Sequence, residues 1–333
     1  MSTIPQGTIV ALPPLPVGWH LVTAAVLADG GLGLLGADAD LAHEHRRDAT
    51  GLTLGKPWDV AARATARLWR FDGEALEDGP SFPLETPFPQ MDRFNDGRWL
   101  VVASRMMDEP NARVLAPDGA VLACFRLGDG IEHVGVDRRD GIWVGWFDEG
   151  IFGNDEWHMP GEVWPPSSRG IGLFSAVGDY QPPAAFPKAV GIIADCYALN
   201  VMDEEAWACP YADFPVLHLR PDRPVRWWSN PIGGARALAV SGGHILLAGG
   251  YGADANRLAL LALEGDGDGA AARIVATSQL PLVPNVLEPG ERSEILEYRP
   301  WRYPLLLAGR GDTIHLIQDG VWHRWRVPDA LAV

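Results

Sequence analysis

Four residues of this 333-residue chain suit proton transfer by type and setting: Glu132 and His133 in EHVGVD, Asp148 in WFDEG and Asp195 in IADCYALN. Corresponding positions in different blades of a repeat converge on one axis, so these carboxylates and the imidazole could act there as general acids or bases. Tyr197, two residues beyond Asp195, adds a phenol that could take the same role. Around these fall candidate ligand contacts. Arg105, Arg236 and Arg310 could meet a carboxylate with two parallel hydrogen bonds. Trp146, Tyr211 and Tyr251 could stack on a ring. Glu149, Asn154 and Glu294 supply further polar groups, with Asp92 and Asp213 beside them. Each has a structural alternative. His133 could be a satisfied channel histidine, Asp195 could bind backbone amides at a strand start, and Asp148 and Asp213 could be turn residues. Arg236, among the small apolar residues of GARALAV, is expected to be buried and to need a partner.

These residues share a recurring context. An apolar strand runs into a polar residue in WLVVASRMMDE (from Trp99), WVGWFDEG (Trp143), WACPYADF (Trp207), ILLAGGYGAD (Ile245) and LLLAGRGD (Leu305). A following pair of strands closes on a tight turn in ARLWRFDGEAL (Ala66), ARVLAPDGAVLACF (Ala112) and IHLIQDGVWHRW (Ile314). The Asp-Gly turns mark hairpins, because Gly adopts a left-handed backbone freely and Asp tolerates one. Repetition of one unit of about four short strands predicts an all-β fold, a β-propeller of antiparallel blades around a central channel. Six blades are expected, starting near His20, Met91, Ile131, Ile193, Ala235 and Glu294; the alternative is seven. GTIVALPP (7–14) reads as an edge strand that could pair with the last blade, where VWHRWRV already supplies a fourth strand. The whole chain, 1–333, is expected to be one domain. Two long insertions, 38–61 and 147–170, should rise over one rim. They are read as walls of a pocket, the second through Phe147, Phe152, Trp157 and Trp164.

Composition limits the functions. Hydrophobic residues are 47% and charged residues 21%, with a net charge of -16. Such a surface repels phosphate backbones and anionic bilayers, so neither nucleic acid nor membrane is an expected partner. No apolar run approaches the ~20 residues of a membrane helix. The start of the chain lacks the pattern of a signal peptide. Cys124, Cys196 and Cys209 are odd in number and lie in strand-like contexts, so a disulfide framework is not expected and a reducing cytoplasm is. The histidines of His43-Glu44-His45 lack further ligands, and EGDGDGAA (264–271) does not have EF-hand spacing. Phosphate-loop, dinucleotide, C-x-x-C, H-E-x-x-H and G-x-S-x-G motifs are absent.

The blade pattern resembles the broad class that holds gluconolactonase-like, strictosidine-synthase-like and paraoxonase-like propellers. GWFDEGIFGN and DCYALNV are similar to segments of bacterial propellers of unassigned function. The gluconolactonase-like resemblance implies a divalent cation (Ca, Mg, Mn or Zn) at the channel mouth. Its ligands by residue type would be Glu132, Asn154, Asn200 and Asp213. Three functions follow. The first is an enzyme on a polar ring compound, a sugar derivative or lactone, with a cation polarising the carbonyl. The second is a metal-independent lyase or isomerase on a uronate-like substrate, with His133 or Tyr197 as base and Arg236 or Arg105 meeting the charge. The third is a non-catalytic propeller that binds a sugar or a protein.

Overall fold

Runs such as IWVGW are apolar on both faces, and only a strand covered on both sides tolerates that pattern. The computed structural model, which describes residues 2–41, 57–106, 110–157, 163–284 and 304–331, places them in that position. Glu294, His43 and His45 lie outside the described residues, as do 42–56 of the first long insertion and 158–162 of the second.

The chain opens with β1 (Ser2–Thr3) and β2 (Thr8–Ala11). A first antiparallel sheet follows from β3 (His20–Val26), β4 (Leu32–Ala37), β5 (Thr65–Phe71) and β6 (Leu76–Pro83). The next holds β7 (Pro89–Arg93), β8 (Trp99–Ala103), β9 (Ala112–Leu115) and β10 (Val121–Phe125). A three-stranded sheet holds β11 (Ile131–Val136), β12 (Ile142–Trp146) and β13 (Ile171–Phe174). Then come β14 (Leu199–Val201), β15 (Ala206–Ala208), β16 (Val216–Arg220) and β17 (Arg223–Ser229). They are followed by β18 (Ala237–Ser241), β19 (His244–Ala248), β20 (Arg257–Leu263) and β21 (Ala270–Gln279). These two antiparallel runs join through a short parallel contact, Trp228 opposite Ala270 and Ser229 opposite Ala271. The last sheet is β22 (Leu306–Arg310), β23 (Thr313–Gln318), β24 (Val321–Arg326) and, on its outer edge, β2.

The sheets stand in a propeller-like arrangement. Their first strands neighbour one another in a closed cycle: β3, β7, β11, β14, β18, β22 and back to β3. Second strands β4, β8, β12 and β15 are buried throughout, whereas outer strands β6, β10 and β17 are largely exposed. Apolar clusters fill the gaps between sheets. Leu35, Leu68, Met91 and Val101 lie between the first two. Leu34, Trp69, Ile317 and Trp322 lie between the first and the last. Each such side chain contributes about 1.5–3 kcal/mol by leaving water. Helical segments among the described residues are no longer than six residues.

The last sheet departs from the sequence reading. LLLAGR is its innermost strand, not its second, and VWHRWR is third. Thr8–Ala11 supplies the fourth, with Ile9 opposite His323. A channel-lining strand and a doubly buried second strand carry the same small apolar residues, and local composition does not separate them. The first strand of the preceding IADCYALN stretch is also shorter than read. It begins at Leu199, and Asp195 makes only an isolated bridge with Tyr211.

Candidate active site at the channel mouth

The site begins where β11 enters the channel. Register shifts between Ile131, opposite Trp146, and His133, opposite Gly145, so Glu132 is an extra residue. Such a bulge re-aims side chains at a sheet end. Gln90 fixes it, donating from Nε2 to the carbonyls of Ile131 (3.0 Å) and Glu132 (3.1 Å). Gly145 has a second role. A Cβ there would meet Cys196 Sγ at 2.6 Å, so glycine lets the 195–197 segment lie across the end of β12. The Cys196 amide then donates to the Trp146 carbonyl at 2.9 Å. His133 Nε2 lies 3.1 Å from the carbonyl oxygen of Tyr197, which only accepts, so the proton sits on Nε2. Burial lowers the His133 pKa, with Glu132 opposing, so the ring is a neutral tie that holds this segment.

Asp195 is half-buried, and its Oδ1 has no hydrogen-bond partner among the described residues. Burial first, then the charge of Glu132 and more weakly Asp148, raise its pKa to about 7, against the pull of Arg236. The segment's backbone is anchored instead. Tyr211 N–H donates to the Asp195 carbonyl (2.8 Å), and Ala194 N–H to the Tyr211 carbonyl (3.0 Å).

Beside Asp195 the rings of Tyr197 and Tyr211 stack at 5.9 Å, and Tyr251 meets Tyr197 edge-on at 6.1 Å. Phe214 packs against all three. The Tyr251 hydroxyl donates to that of Tyr197 (3.0 Å), and burial with this bond raises the Tyr251 pKa. Tyr211 and Tyr251 remain 43% and 52% exposed, which leaves ring surface for a ligand. Arg236 is exposed, not buried as expected. Its guanidinium lies 3.9 Å from the centre of the Tyr197 ring. Single-residue reading named these tyrosines separately. It missed their assembly, Phe214 beneath them, and Gln90. The signal was the shared position of Tyr211 and Tyr251 just after second strands.

Asp148 and Glu149 lie exposed in the first turn of Asp148–Gly153. Arg105 is tied there to Glu149 (2.5 Å) and Asp129 (3.5 Å), and lies over Phe147. Asp213 is exposed on the rim.

Other expected residues are elsewhere. Trp146 is 0% exposed, with its indole donating to the Leu127 carbonyl, so it offers no ligand surface. Trp157 is buried against Phe174, not a pocket wall, while Phe152 and Trp164 are exposed. Arg310 ends β22 at the far end of the channel. It binds Asp92 at 3.1 Å and the Val136 carbonyl at 2.6 Å. Burial raises the Asp92 pKa, while Arg310 and the amides of Val136 and Arg93 stabilise its charge.

The cation implied by the lactonase-like resemblance fails a test of donors. Asn154 gives its Nδ2 to the carbonyls of Asp129 and Gly150, and its Oδ1 accepts from Asp129 N–H. Asn200 exchanges both amide atoms with the backbone of Gly311, each at 2.8 Å. Both side chains are buried and fully engaged. Among the described residues no three His, Cys, Asp or Glu gather as a metal-ligand group. The residues present do not fit this ion.

The radial antiparallel sheets define a β-propeller of no assigned family. No protein-family model and no curated protein matches the sequence. Among solved structures, catalytically inactive virginiamycin B lyase from Staphylococcus aureus with quinupristin is similar over 95% of this chain and 98% of its own (10% identity, TM-score 0.46). The extracellular domain of a B. thetaiotaomicron protein is similar over 96% of this chain, which spans 40% of that one (10% identity, TM-score 0.44). A protein of unknown function from Bacteroides caccae covers 81% of this chain and 89% of its own (11% identity, TM-score 0.35). These likenesses concern fold alone. No helix among the described residues is long and apolar enough to cross a membrane.

Proposed function

We propose that the protein is a metal-independent lyase or isomerase acting on a small, carboxylate-bearing polar ring compound of the uronate type, at the mouth of a six-bladed propeller. The closed cycle of inner strands supports the blade count. One observation carries the function: the Asp195 carboxyl, with a pKa of about 7 and an unpartnered oxygen, lies within the field of Arg236. Perturbed carboxyls of this kind concentrate at functional sites.

Near neutral pH both forms of Asp195 are populated, so one residue can take and return a proton. Its carboxylate removes the proton from the carbon next to the substrate carboxylate. The electron pair of that C–H bond passes into the substrate carboxylate, and Arg236 meets the enediolate charge. The pair then forms a C=C bond as the neighbouring C–O bond breaks, and the proton on Asp195 goes to the departing oxygen. If the proton returns to a different face or carbon, the outcome is isomerisation. Tyr211 and Tyr251 hold the ring by its apolar face.

The test is to incubate the protein with uronate oligosaccharides and uronic acids in D2O. Absorbance of the conjugated product and exchange of the α-proton by NMR are followed together. Asp195→Asn should lower kcat by about 10²–10⁴-fold while ligand binding persists. Arg236→Ala should lower kcat/KM by about 10²-fold, because the enediolate charge loses its partner. Unchanged turnover in Asp195→Asn would remove this assignment. Binding without exchange or product in the wild type would make the mouth a sugar-binding site instead.

A further inference from the structure

A cavity of about 600 Å³ opens at the end of the channel opposite the mouth. There the turns between first and second strands gather, including Gly30–Gly31, Met202–Asp203 and Gly311–Asp312. Its volume is in the range that holds a small organic ligand.

Most charges in its wall are matched. Arg70 binds Asp29 (2.8 Å) and Glu77 (3.1 Å), Arg138 binds Asp203 (2.7 Å), and Arg326 binds Asp312 (2.9 Å). Arg310 is held by Asp92. Asp72 accepts the amides of Glu74 and Ala75 in its own turn.

Two donors are left. Arg324 makes no ion pair or hydrogen bond among the described residues, and its buried Nε has no acceptor. Its guanidinium lies 4.3 Å from the centre of the Trp322 ring. Directly opposite on β23 is His315, 3% exposed. Trp322 Nε1–H donates to His315 Nδ1 at 3.1 Å. An indole N–H only donates, so Nδ1 carries the lone pair and the imidazole proton sits on Nε2. No described acceptor meets that Nε2–H. The fully buried Trp322 thus holds both groups on one face, its ring nearly parallel to His315 at 20°. Burial, with Arg324 and Arg310 nearby, lowers the His315 pKa to about 3, so it remains a neutral donor.

We propose that this cavity is a second ligand site, which takes a small oxyanion (carboxylate or phosphate) on the Arg324 guanidinium and His315 Nε2–H. A planar carboxylate or a phosphate accepts from a guanidinium through two oxygens, and Nε2–H supplies a third bond. The site is separate from the mouth, and it does not depend on the reaction assigned there.

The experiment is calorimetric titration of the full chain with inorganic phosphate and, separately, with malonate, at ionic strength matched with chloride. Saturable binding of either is expected. Phosphate alone would mark a tetrahedral oxyanion as the ligand, and malonate alone a planar carboxylate. Arg324→Gln should weaken binding by about tenfold or more, and Asp195→Asn should leave it unchanged. In the wild type, NMR of the imidazole nitrogens should show the His315 Nε2–H resonance shifting with the same saturation curve. No saturable binding, a His315 resonance indifferent to bound anion, or full affinity in a folded Arg324→Gln would each overturn the proposal.

Discussion

Asp195 in the unfolded chain ionises as an ordinary aspartate, near 3.8, and in the folded protein near 7. Between those values the folded state keeps a proton that the unfolded state has released. Stability therefore falls as pH rises through this window and is lowest above it. Asparagine carries no such charge. Asp195→Asn should raise the melting temperature relative to wild type at pH 8, and the gain should vanish near pH 4. Calorimetry across that range checks it, and a pH-independent difference would mean that the carboxyl titrates normally. Arg236 works in the opposite sense to burial, so Arg236→Ala should move the acidic limb of kcat/KM, where the Asp195 base is protonated, to higher pH. The sequence placed Glu132, His133, Asp148 and Asp195 together because the starts of first strands and the ends of second strands share one face of a propeller. It did not say which one would be perturbed, since that depends on burial and on Glu132, Asp148 and Arg236, which only the fold brings beside Asp195. It also offered Asn154 and Asn200 as ligands by residue type. Their amides instead bond to backbone groups of distant segments, which only the fold brings beside them.

Strands were legible wherever apolar runs ended in Asp-Gly turns, as at Gly73, Gly119 and Gly320, all with positive φ. The position of LLLAGR within its sheet was not. The deciding residue is Gly309, whose Cβ would overlap the carbonyl oxygen of Leu238 on the neighbouring first strand. Here two inner strands touch backbone to backbone, and neither side has a flexible side chain to give way. Gly309→Ala should therefore cost about 2–4 kcal/mol, read as a lower denaturation midpoint with unchanged slope. Gly311→Ala is the control. Its φ of +58 favours glycine, but nothing lies within 4 Å of the added methyl. It should cost only about 1 kcal/mol. Equal losses would show that backbone conformation, not strand contact, makes Gly309 necessary.

A ring of sheets has to be closed by something, and in this chain the beginning meets the end. Val10 lies opposite Trp322 and Ala11 opposite Val321, and Leu12 N–H donates to the Gly320 carbonyl at 2.8 Å. A few residues earlier, Ser2 and Thr3 pair in parallel with Ala276 and Thr277 of β21, and Ile4 is buried between that sheet and the last. The N-terminal segment thus joins two neighbouring sheets. In the sequence GTIVALPP read as an edge strand, while its second attachment through β1 was too short to leave a pattern. Without it, β24 would present an open row of amide and carbonyl groups, and Ile4 would leave a gap beside Trp325. Deleting residues 1–12 should lower the melting temperature by several degrees and cause concentration-dependent association through the bared edge. Light scattering alongside calorimetry reads both effects. A synthetic peptide of residues 1–14 added in trans should restore the melting temperature, because it refills the same edge. A truncated chain that stays monodisperse and melts with the wild type would mean that the sheets hold the ring closed by their faces alone.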